Sequence, residues 1–146
     1  MKKPFVIIES PFSAPTMPEL VQNIQYALLA VRHSLNQGEA PYASHLFYTQ
    51  MLDDNNAAER QNGIKAGLEI GSFAQKTAVY TDFGISNGMK YGLDAAKNIN
   101  REIVERTLFP STASREEKLQ LMLTEYNRHD LPSPEVLASI YGRILK

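Results

Sequence analysis

Apolar and polar positions follow two different periods along this chain. Phe5 to Ile8 is an unbroken apolar run, as a strand buried on both faces requires, and it ends in the turn Glu-Ser-Pro-Phe-Ser-Ala-Pro. From Thr16 the period becomes helical. Leu20, Ile24, Ala27, Leu28, Val31 and Leu35 recur on one face, Thr16 with Glu19 offers a capping box, and Gly38 ends the run. Ala40 to Ser44 reads as a short second strand whose end presents Ser44 and His45, followed by a loop through the two asparagines at 55 and 56. Ala57 to Phe73 reads as a helix with Ile64, Leu68, and Ile70 or Phe73 on its buried side. A third strand, Thr77 to Tyr80, a polar turn and a helix from about Asn87 come next. Glu102 to Leu108 reads as a fourth strand, closed by Pro110.

Strand and helix alternate up to residue 110, which predicts an α/β chain: a flavodoxin-like three-layer sandwich with a parallel sheet of four or five strands. Residues 111–146 are different in kind. Ser114 with Glu117 opens one amphipathic helix carrying Leu119, Met122, Leu123 and Tyr126. Ser133-Pro134 opens another with Val136, Leu137, Ile140 and Ile144. The expected division is a 1–110 α/β domain and a 111–146 helical extension that packs in cis or forms a subunit contact.

Composition narrows the function classes. With 146 residues, 43% of them apolar, the chain can bury a real core, and a net charge of −1 gives no general attraction to a nucleic-acid polymer or an anionic membrane. There is no cysteine, so disulfides and thiolate chemistry are excluded. The three histidines lack zinc-ligand spacing, and neither a metal nor a cofactor is expected. Met-Lys-Lys precedes an apolar run interrupted by Glu9, with no small-residue cleavage site, so a cytoplasmic location is expected.

The stretch Val79 to Ala96 carries the candidate chemistry. A strand, a turn rich in Asp, Gly and Ser, and a helix start form a phosphate-cradling arrangement, because the first amides of a helix lack partners and its dipole is positive there. Ser86 can cap or donate, while Gly84 and Gly88 allow close backbone approach. In a parallel sheet the carboxyl ends of the strands form the ligand crevice. The expected ligand-binding set is therefore Ser10, Pro11, Phe12 and Ser13, then Ser44 and His45, then Asp82, Gly84, Ile85, Ser86, Asn87, Gly88 and Met89. Phe47 and Tyr48 are placed to stack on a base or to pack their loop.

The run with Asp82, Ser86, Gly88, Tyr91 and Leu93, together with Ser10-Pro11-Phe12, resembles the nucleoside 2-deoxyribosyltransferase superfamily, which includes the deoxynucleoside 5′-monophosphate N-glycosidases. The resemblance spans roughly Phe5 to Leu108 and implies a nucleotide-like ligand and a homo-oligomer. It also implies a Glu on the helix after the turn, acting at the anomeric carbon. That position is Gly92 in this chain. The first expectation is a protein that binds a nucleoside monophosphate or an ADP-ribose-type signal, such as a phage counter-defence protein that sequesters it. The alternative is an N-glycosidase or deoxyribosyltransferase in which Glu9 or Asp82 supplies the carboxylate; Asp94 would point to another helix face.

Overall fold

The computed structural model describes residues 2–145. Four strands, β1 (Phe5–Glu9), β2 (Ala40–Tyr42), β3 (Lys76–Tyr80) and β4 (Glu102–Arg106), form an all-parallel sheet in the order β2-β1-β3-β4. Six helices accompany it among the described residues: α1 (Met17–Asn36), α2 (Ser44–Phe47), α3 (Ala57–Gly71), α4 (Asn87–Asn98), α5 (Arg115–Asn127) and α6 (Pro134–Tyr141). This is the flavodoxin-like sandwich that the alternation predicts.

Side-chain alternation along the central strands sorts the layers. Val6 and Ile8 on β1, with Ala78 and Tyr80 on β3, join Leu20, Ile24 and Ala27 of α1 in one core. Met122 and Tyr126 of α5 and Leu137 and Tyr141 of α6 are buried in the same core, and the Tyr141 hydroxyl donates to the Leu46 carbonyl at 2.8 Å. The two C-terminal helices thus pack in cis. Of their expected apolar positions, Val136 and Ile140 face outward, while the Ile144 side chain lies outside the described residues. Leu35 is also exposed.

A charged network ties the sheet together on this face. Glu39, buried just before β2, takes a bidentate pair from Arg106 of β4 at 2.7 and 2.8 Å, with Lys76 Nζ at 3.3 Å and the Ser34 hydroxyl at 2.7 Å. These partners hold its carboxyl down at about 2, Arg106 contributing most.

The opposite face is covered by α3 and α4, and here two expectations are corrected. The buried side of α3 is a glycine stripe: Gly67 and Gly71 are buried, whereas Leu68, Ile70 and Phe73 are exposed. An added Cβ at Gly63, Gly67 or Gly71 would meet Leu52, Ser44 or Ile7 at 3.0, 2.9 and 3.2 Å, so the helix backbone lies against its neighbours, with Ile70 turned outward and Ile64 half-buried. Second, β2 stops at Tyr42, and the expected loop begins with α2 and a 3-10 turn over Tyr48–Gln50. Likewise β4 stops at Arg106, because the Leu108 and Phe109 amides turn away to the Asp82 carboxylate at 2.8 and 2.9 Å.

Candidate functional site

In the order β2-β1-β3-β4 the connections leaving β1 and β3 run to opposite sides, and at that switch point an open parallel sheet leaves a crevice at its carboxyl edge. A cavity of about 460 Å³ opens there, a size suited to a small molecule. The end of β1 forms its floor, α2 and the turn after it one wall, α3 another, and the first turns of α4 the wall opposite α2.

Of the expected binding residues, Ser10, Phe12, Ser13, Ser44, His45, Ser86, Asn87, Gly88 and Met89 line this cavity, as does Glu9. Pro11, Asp82, Gly84 and Ile85 do not. Asp82 instead holds the fold together: buried, it accepts from the Tyr26 hydroxyl at 2.6 Å and from the Leu108 and Phe109 amides. Its carboxylate is thereby occupied in fixing the β4 exit beside α1. Gly84 takes a φ of +88° and reverses the chain after β3, whereas Gly88 is helical. Ile85 is exposed. Of the two candidate stacking rings, Tyr48 lines the cavity, and Phe47 packs edge-on against it from outside.

The turn leads into α4 as its residues dictate. Ser86 is the N-cap, its hydroxyl accepting from the Met89 amide at 3.3 Å, while the Ser86 amide reaches the Met89 sulfur at 3.3 Å. Met89 is anchored in the interior, so the helix start is fixed with its polar end at the cavity.

Glu9 closes the floor. Alternation puts it on the same side of β1 as Ile7, facing α4, and a Cβ built on Gly92 would lie only 2.0 Å from Glu9 Oε2. The space that a side chain at 92 would fill is occupied by the carboxyl of Glu9. Among the described residues no hydrogen-bond donor or ion pair reaches that carboxyl. Burial pushes it up to about 8, against the lowering pull of the Arg101 guanidinium. Arg101 lines the same cavity, donating to the Thr77 hydroxyl at 3.1 Å, and its Nε is buried without a partner.

A second pair faces the cavity from the α2 side. The buried Ser10 hydroxyl and His45 Nε2 share a hydrogen bond of 2.8 Å, and the His45 ring packs edge-on against Phe12. Burial lowers the imidazole to about 4, so it is neutral at physiological pH. Sequence reasoning missed Arg101, remote in sequence from the other cavity residues, and the glycines at 63, 67 and 71, whose four-residue spacing was the available signal.

The fold and cavity together define a parallel α/β sandwich with a cavity at its strand switch point. The chain belongs to the family described as Domain of unknown function (DUF7768), whose model matches residues 4–106. The match takes in all four strands and every cavity element. No curated protein and no solved structure matches the chain.

Proposed function

We propose that this cavity binds a nucleotide-like small molecule and that the chain cleaves its N-glycosidic bond, with Glu9 as the proton donor to the departing base. The carrying observation is the Glu9 carboxyl, which among the described residues has no hydrogen-bond or ion-pair partner, is raised to about 8 by burial against the pull of Arg101, and is seated in the space left by Gly92. A carboxylic acid kept neutral near pH 7 inside a ligand cavity suits general-acid chemistry. The helix that lacks the expected Glu has beside it a carboxyl from the adjacent strand. The start of α4, with Ser86, Asn87 and Gly88 at the cavity, suits a phosphate group.

Sequestration without turnover is the second reading, and Gly92 favours it, since the helix itself carries no nucleophile. One experiment separates the two. Incubation of the full chain with ribo- and deoxynucleoside monophosphates, followed by chromatography, is expected to show free base accumulating with time. Glu9→Gln is expected to lower that rate by roughly a hundredfold or more while leaving nucleotide binding in calorimetry intact. Binding without base release by the wild type would support sequestration. Absence of both would remove the nucleotide reading.

A further inference from the structure

Building on the N-glycoside reading of the cavity, we infer that Ser10 and His45 form a water-activating pair, which makes the reaction a single-step hydrolysis with inversion at the anomeric carbon and not a transfer between bases.

The geometry carries it. Glu9 and Ser10 are consecutive residues at the end of β1, but they address different walls: Glu9 faces Gly92 of α4, while Ser10 is bonded to His45 of α2. Because β1 lies between β2 and β3, the elements that follow those two strands flank its end from opposite sides. A ligand between them therefore has a proton donor on one side and a Ser–His pair on the other. Covalent displacement would need an ionised carboxylate at the anomeric carbon, whereas burial raises the Glu9 carboxyl to about 8 and favours its acid form near pH 7. Among the described residues the neutral imidazole has no charged partner, and its bond to Ser10 is the one polar contact that orients Nε2.

With the Ser10 hydroxyl donating to His45 Nε2, the Ser10 oxygen is left to accept from a water. The water oxygen forms its bond to the anomeric carbon as the carbon–nitrogen bond breaks. The water's proton passes to Ser10 Oγ as the Ser10 proton passes to His45 Nε2. The electron pair of the broken bond leaves with the base, whose ring nitrogen takes the Glu9 proton. The products are free base and sugar phosphate, and exchange of a proton with solvent restores Glu9 and His45. The two-sided arrangement of acid and water is the one that inverts configuration.

The test uses the full chain with a deoxynucleoside 5′-monophosphate in dilute methanol, where a methyl glycoside records the configuration that free sugar would lose. The expected trapped product is the α-methyl glycoside, with no transfer of the sugar to an added second base. Ser10→Ala and His45→Gln should each lower kcat by roughly a hundredfold with KM little changed, and the acid limb of the wild-type pH profile near 4 should vanish in His45→Gln. The other charged groups lining the cavity are Glu9, Asp54, Glu59, Arg60 and Arg101, and the first of these governs the alkaline limb instead. A β-methyl glycoside, or base exchange, overturns the water-activating pair and leaves the N-glycosidase reading in place. So does full activity in both variants. No base release by the wild type overturns both.

Discussion

Glu9 couples the cavity to folding stability. Its carboxyl is raised from 4.5 to about 8, so between those values the folded chain holds a proton that the unfolded chain has lost. The stabilising contribution is therefore full below about pH 4.5 and is lost as pH rises through 8, a change on the order of a few kcal/mol. His45 acts in the opposite sense, since its lowered pKa costs stability as pH falls from 6.5 towards 4. Denaturant unfolding of wild type and Glu9→Gln across this range isolates the first effect: the two should match near pH 4.5, and the variant should be the more stable at pH 8. Gly92 gives a complementary check. Gly92→Ala must push aside the flexible end of Glu9, and it gains up to about 1 kcal/mol of helix propensity. The variant should melt no lower than wild type yet release base at least tenfold more slowly, because displacing a reacting group by about 1 Å can cost a hundredfold.

At the level of elements, α3 owes its position to residues without side chains. Its backbone approaches α2 at Gly67, where a Cβ would meet both Ser44 Cβ and Oγ at 2.9 Å. Ser44 Cβ is not the end of a flexible chain, so α2 and α3 must separate. Gly67→Ala should therefore lose about 1–3 kcal/mol in urea unfolding, despite alanine's better helix propensity. The same displacement shifts the wall bearing His45, so nucleotide affinity should fall with it. An unchanged unfolding midpoint would show that this contact has slack.

For the whole molecule, the C-terminal helices decide whether the sheet is covered. Met122, Tyr126, Leu137 and Tyr141 are all buried against α1 or its neighbours. Ending the chain at Ser111 removes them and takes away their cover from α1 and from Phe12. The product should be insoluble, or should bind a hydrophobic dye and lose its near-ultraviolet circular dichroism. A soluble fragment with a cooperative melt would mean that residues 111–146 are dispensable for the core. The described helices include none long and apolar enough to cross a membrane.

The sequence by itself determined the layer order, because runs such as Phe5–Ile8 and the spacing from Leu20 to Val31 state their period locally. It also determined the cap at Ser86, which is read from neighbouring residues, and it set a residue without a side chain at position 92 on α4. Only the tertiary structure decided what fills that site. Glu9 and Gly92 are 83 positions apart, and parallel pairing of β1 with β3 is what sets the strand end beside the helix that follows β3. The same holds for Asp82, whose type suited catalysis until the Leu108 and Phe109 amides claimed its oxygens. In the α3 region, hydrophobicity pointed to Ile64, Leu68, and Ile70 or Phe73 as the inner face; Ile64 is half-buried, but packing favoured the glycines. Periodicity records which residues prefer to leave water; how closely two backbones can approach is settled only when the elements meet.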